Sequence, residues 1–184
     1  MFSPKDTGWI EVICGSMFSG KTQELIRRIR LAQIAKQNIQ AFKPYIDDRY
    51  DKEHIVSHDQ LKFPTETVFI AKEIQTKIQQ DTHVVAIDEA QFFSTEIISV
   101  CELLANGGKR VIVAGLDQDY RGMPFGPMPY LLSVAEFVTK NLAICVRCGN
   151  PANRTQRTTN SIEQIDVGAS DKYEARCRKC FVRN

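Results

Sequence analysis

The run Gly15-Ser16-Met17-Phe18-Ser19-Gly20-Lys21-Thr22 constrains this chain more than any other feature. It fits the phosphate-loop pattern G-x-x-x-x-G-K-[ST], and it lies between two segments of different periodicity. Trp9-Ile10-Glu11-Val12-Ile13-Cys14 reads as a strand, and 23–37 as a helix with Leu25, Ile26, Ile29 and Ala32 on one face. A strand that breaks into a glycine-bearing turn and then a helix aims several backbone N–H groups, and the positive helix end, at one spot. Lys21 adds a mobile charge for the outer phosphates, and the Thr22 hydroxyl is of the type that ligates Mg²⁺ there. The bland reading is a chance match, and the strand–loop–helix setting argues against it. The segment predicts binding of a nucleoside triphosphate.

Downstream, strand-like and helix-like segments alternate. Strands are expected at 39–42, 68–70, 83–88, 110–116 and 142–145, and helices at 72–80, 95–105 and 129–137. The polar, turn-rich stretch 44–59 reads as a loop. His83-Val84-Val85-Ala86-Ile87-Asp88 is an unbroken apolar run, as expected for a strand covered on both faces. Such alternation predicts an α/β fold, a parallel sheet with helices on both faces, with ligands gathered at the carboxyl ends of the strands.

One of those ends carries Asp88 and Glu89. In a phosphate-loop protein, an aspartate after a buried strand helps to hold Mg²⁺, and Asp88 fits that role. Glu89, one residue on, points elsewhere and could take a proton from a phosphoryl acceptor. The pair could equally serve an ATPase, with Glu89 polarising water, or merely cap the next segment. Spacing alone does not separate these readings.

Two C-x-x-C knuckles follow, Cys145/Cys148 and Cys177/Cys180. Four thiolates so spaced suit a tetrahedral structural Zn²⁺ that leaves no open position for catalysis. The 28 residues between them, 149–176, are more than a compact zinc ribbon carries, so the metal would close a long loop. Two disulfides are the competing reading. They fit poorly with the two further cysteines, Cys14 and Cys101, whose apolar settings suggest core positions. Hydrophobic periodicity fades near Cys145, which places a domain boundary there: 1–142 for the nucleotide-binding part and 143–184 for the cysteine-bearing part.

Charge excludes little but points one way. Of the 184 residues, 24 are Lys or Arg and 22 Asp or Glu, so no general basic field asks for nucleic acid. Only the arginines after Cys145 support a zinc-ribbon nucleic-acid module. The N-terminus has no apolar core of signal-peptide length, and no apolar run approaches the ~18 residues of a membrane span. A cytoplasmic location is expected.

The loop Met17 to Thr22, then Ile87-Asp88-Glu89-Ala90-Gln91-Phe92-Phe93, then Leu116-Asp117 leading into Pro124-Phe125-Gly126, then the two cysteine pairs, resemble cytosolic-type (type II) thymidine kinases in the same order over nearly the whole chain. The resemblance implies a RecA-like sheet domain with a small zinc domain, and transfer of the γ-phosphate of ATP to the 5′-hydroxyl of thymidine. It implies ATP and Mg²⁺ at 15–22 and at Asp88, Glu89, Ala90 and Gln91, with Glu89 as catalytic base. Asp47 and Arg49 match residues near the phosphates and magnesium, at the edge of the nucleoside site. Met17, Phe92, Leu116, Tyr120 and Phe125 match residues lining the thymine pocket. Ile165, Asp166, Val167 and Gly168 match a loop whose backbone reads the base, and Tyr173 a tyrosine at the sugar end. The loop between the knuckles would close over the nucleoside like a lasso, and the family implies a homotetramer. Tyr120 stands where relatives often have phenylalanine, and its added hydroxyl needs a partner. Phe93 reads as core. A RecA-like ATPase motor remains the rival among phosphate-loop functions.

Overall fold

The computed structural model describes residues 7–45, 54–56, 62–159 and 172–183, with the backbone alone at 54–56 and 62. In chain order the strands are β1 (Trp9–Gly15), β2 (Ile39–Pro44), β3 (His54–Val56), β4 (Lys62–Pro64), β5 (Glu66–Val68), β6 (Val84–Ile87), β7 (Arg110–Gly115), β8 (Phe137–Asn141), β9 (Ala143–Ile144), β10 (Pro151–Ala152), β11 (Arg154–Arg157) and β12 (Tyr173–Arg176). The helices are α1 (Lys21–Ile34), α2 (Lys72–Lys77), α3 (Glu96–Asn106) and α4 (Met128–Val134).

Six strands form one sheet in the order β5-β2-β6-β7-β1-β8, parallel throughout. Side chains alternate across a strand, so each apolar run feeds two cores. Val85 and Ile87 of β6 join Val111 and Val113 of β7 beneath α2, α3 and α4. Their neighbours Val84, Ala86, Ile112 and Ala114 face the other way, against Leu25, Ile26, Ile29 and Ala32 of α1. The expected α1 stripe is thus the one buried. One strand, β7, separates the phosphate-loop strand β1 from β6, which carries the acidic pair. Cys14, Phe93 and Cys101 are core residues, as read from the sequence.

Three local expectations shift. The sixth strand is Phe137–Asn141, not 142–145, and α4 ends at Val134. As an edge strand β8 alternates between half-buried and exposed positions, so its sequence lacks the continuous apolar signature of the inner strands. Ala143–Ile144 instead pairs antiparallel with Pro151–Ala152, outside the large sheet. The apolar run 68–70 also misleads: β5 is Glu66–Val68, and Phe69 and Ile70 are exposed. Within the expected 44–59 loop, β3 pairs with β4 as an antiparallel hairpin. The remaining strands, β11 and β12, form a two-stranded ribbon that carries the chain back to the second cysteine pair.

Candidate active site

The phosphate loop leaves β1 where only glycine fits. Gly15 has φ 144°, and a Cβ there would lie 2.3 Å from the Asn141 carbonyl oxygen. Gly20 opens α1 at φ 76°, in the left-handed region. Phe18, at φ 65°, holds the same region without being glycine, a strain that packing must sustain. That packing comes from the cysteine-bearing part of the chain: Phe18 lies against Ala143, Cys145, Ala152, Ala175 and Cys177. The Met17 N–H donates to Thr155 Oγ1 at 3.0 Å, and Ser16 Oγ to the Ala152 carbonyl at 3.3 Å.

Lys21 lies across the loop, donating from Nζ to the Ser16 carbonyl at 2.9 Å. Burial lowers its pKa, against the opposing pull of Glu89, Asp88 and Asp117. Three carboxylates thus act on one ammonium, with Asp117 itself ion-paired to Lys140 at 2.6 Å. Asp88 is buried, accepts the Glu89 N–H at 2.9 Å, and is hydrogen-bonded by the Thr22 side chain. Burial, then the Glu89 charge, push its carboxyl up to about 7 despite Lys21, Thr22 and that N–H. Two buried oxygens near the loop, Ser19 Oγ and Asp117 Oδ1, have no partner among the described residues. Orphaned buried polar atoms are rare, and a bound phosphate with its counter-cation would satisfy such groups. The adjacent Thr22 hydroxyl and Asp88 carboxylate are the hard oxygen donors that Mg²⁺ prefers, so the residues fit that ion.

Glu89 also sits at positive φ, 53°. A short 3₁₀ turn, Ala90–Phe92, follows it. Gln91, expected among the phosphate-facing residues, is almost wholly buried and bonds inward to Glu89 and to the Leu116 backbone. Phe92 meets Phe125 edge to face, with ring centroids 5.5 Å apart. Tyr120 lies under the Arg157 guanidinium at 3.7 Å, and Arg157 donates to the Tyr173 hydroxyl at 2.8 Å. Tyr120 and Tyr173, 53 positions apart, are thus joined by an arginine that sequence reasoning read only as one of a basic group. Nothing local distinguishes Arg157, because its partners come from other elements. Asp47, Arg49, Ile165, Asp166, Val167 and Gly168 lie outside the described residues.

The four cysteines converge. The Sγ atoms of Cys145, Cys148, Cys177 and Cys180 lie within 4.8 Å of one another, a cluster that could hold a metal ion. Burial raises the Cys145 thiol, but backbone N–H groups of Cys177, Arg147 and Cys148 outweigh it and bring it down to about 6. A set of four thiolates suits zinc, and the residues fit that ion. The arginines nearby divide: Arg157 and Arg176 are buried and Arg154 bonds Gln118, whereas Arg147, Arg178 and Arg183 are exposed. Two of the six are therefore spent on packing inside the fold.

A family described as thymidine kinase matches residues 8–181. The chain belongs to that family. A thymidine kinase of Rhodothermus sp. (strain ITI 518) is 56% identical over 174 residues, which is 95% of this chain and 81% of the relative. Among solved structures, the Legionella pneumophila ATPase DotB is similar over 72% of this chain and 35% of its own, at 16% identity and a TM-score of 0.44. Family membership makes the chain a kinase. No helix among the described residues is long and apolar enough to cross a membrane.

Proposed function

We propose that the protein transfers the γ-phosphate of ATP to the 5′-hydroxyl of thymidine, with Glu89 as general base. The observation that carries this is the meeting of Lys21, Asp88 and Glu89 at the carboxyl ends of β1 and β6. In this reading 15–22 cradle the triphosphate, and Lys21 counters charge on the transferring group. Thr22 and Asp88 hold Mg²⁺, which neutralises phosphate charge when bound. Glu89 accepts the hydroxyl proton as the phosphoryl group arrives. Met17, Phe92, Leu116, Tyr120, Phe125 and Tyr173 line the nucleoside pocket, with Asp47 and Arg49 at its phosphate side. Residues 165–168 supply backbone contacts to the base. The chain divides at 142/143, and the second part, tied by Zn²⁺ on its four cysteines, forms the wall over the nucleoside. A cytoplasmic homotetramer completes the proposal, on family grounds.

Most of the acceleration comes from alignment and charge stabilisation, since phosphoryl transfer asks little covalent chemistry of a protein. The test is phosphate transfer from labelled ATP across the deoxynucleosides and ribonucleosides, in the parent and in Glu89→Gln. Label on thymidine, with kcat in the variant reduced by roughly 10²–10⁴, is the expected result. Undiminished turnover in Glu89→Gln would remove the base. Hydrolysis of ATP indifferent to thymidine would favour an ATPase instead.

A further inference from the structure

Gln91 is 2% exposed, and its side chain has a definite job on each end. Its Oε1 accepts the Leu116 backbone N–H at 2.9 Å, and its Nε2 donates to Glu89 Oε2 at 2.5 Å. The backbone N–H fixes which way the amide lies, because only the carbonyl oxygen can accept from it. The amine end must then face the carboxylate. Two glycines make room for this strut. A Cβ on Gly115 would come within 2.9 Å of Gln91 Oε1, and one on Gly126 within 2.3 Å of the Gln91 carbonyl oxygen. Both ends of the Gln91 residue are therefore closely packed against the β7 end and the 124–127 turn.

We propose that Gln91 is a positioning residue: it pins one oxygen of Glu89 to the Leu116 backbone so that the other, Oε1, faces the acceptor hydroxyl. The inference rests on the reading of Glu89 as base. Glu89 needs such a support, since its own backbone is at φ 53°, where a non-glycine residue is strained, and a free glutamate carboxylate rotates about three side-chain bonds. Among the described residues Glu89 Oε1 takes no hydrogen bond, whereas Oε2 is held. Leu116 lies at the proposed nucleoside pocket, so the strut sets the base's position relative to the pocket itself. A misplacement of about 1 Å at a reacting group costs on the order of 10²-fold in rate.

The experiment compares Gln91→Glu, Glu89→Gln and the double variant, measuring kcat and thymidine KM at neutral pH with thermal melting alongside. Gln91→Glu keeps an oxygen for the Leu116 N–H but sets a second carboxylate against Glu89. Its kcat is expected to fall roughly 10- to 100-fold with KM within about twofold of the parent. The double variant is expected to turn over no more slowly than Glu89→Gln, because Gln91 acts only through Glu89. Should Gln91→Glu not fold, Gln91→Met, of similar volume, loses both bonds and is expected to show the kcat loss together with a raised KM. Turnover within twofold of the parent in whichever variant folds overturns the inference, as do losses that multiply in the double variant. A slow Glu89→Gln beside a fully active Gln91→Glu overturns it alone. Full turnover in Glu89→Gln overturns the base and this inference together.

Discussion

Three residues of the nucleotide site hold backbone conformations that their surroundings must enforce. Glu89 and Phe18 occupy the left-handed region as non-glycine residues, and Gly15 has no room for a Cβ. Each sits where the chain changes direction against a second element, so the strain is concentrated where geometry matters for chemistry. Gly15→Ala therefore tests the loop directly. The new methyl group meets the Asn141 carbonyl oxygen, a backbone atom that cannot swing aside. Overpacking of this kind costs about 1–3 kcal/mol. Chemical denaturation should show that loss, and titration with a fluorescent ATP analogue should show weakened binding, because β1 and β8 part where the loop begins. An alanine variant with parental stability and affinity would mean that the loop tolerates another path.

At the scale of elements, β1, α1, β7 and β8 are tied by a buried ionic cluster. Glu11 accepts Arg28 at 2.7 Å, Arg110 at 2.7 Å and the Trp9 indole N–H at 2.7 Å. Arg28 also reaches Glu24 at 2.8 Å and the Thr139 hydroxyl at 2.8 Å. Burial raises the Glu11 carboxyl, yet Arg110, Trp9 and Arg28 hold it below its ordinary value. Arg27, and then Arg28, bring Glu24 down to about 2 against the effect of burial. Because both folded values lie under the unfolded carboxylate value of about 4.3, the stabilisation is complete above that pH. It is lost as pH falls through the folded values, for Glu24 down to about 2. Glu11→Gln leaves Arg110 without a carboxylate partner and buried Arg28 with Glu24 alone, and should cost about 3 kcal/mol at pH 7. Its melting temperature should also change less between pH 5 and pH 3 than the parent's, the range in which Glu11 loses its charge. A variant with the parent's full acid sensitivity would show that Glu11 is not the group responsible.

At the scale of the molecule, the cysteine-bearing part does more than stand beside the sheet. It supplies the Thr155 hydroxyl to the Met17 N–H, the Ala152 carbonyl to Ser16, and a small apolar core to Phe18. Loosening the four-cysteine cluster should therefore be felt at the phosphate loop. If the cluster holds zinc as proposed, a chelator is expected to weaken binding of the ATP analogue, measured by the same titration, and zinc should restore it. Thr155→Val tests the link without touching a thiol. The part-buried Met17 N–H would lose its partner, worth about 1–3 kcal/mol, so affinity should fall by roughly five- to 150-fold where that bond holds the loop in its binding form. If affinity survives both treatments, the brace is structural decoration and the loop is self-supporting.

Much of this was legible in the chain because its signals are local. The phosphate loop announces itself by residue type and spacing, α1 by its stripe of Leu25, Ile26, Ile29 and Ala32, and β6 by a run that packs on both faces. The cysteine spacing likewise anticipates the cluster that forms. Other features depend on which distant segments meet. Phe137–Asn141 is a strand because β1 offers it a free edge, and its half-buried, half-exposed residues form no continuous apolar run. Gln91 looks like one more polar residue after an acidic pair until the Leu116 N–H arrives from β7 to orient its amide. Thr155 and Arg157 sit in an unremarkable polar stretch, and only the ribbon they belong to carries them to Met17, Tyr120 and Tyr173. Periodicity and motif spacing encode what a segment does with its own neighbours. Hydrogen-bond partners a hundred or more residues away are chosen by the packing of the sheet, and only the folded chain holds that information.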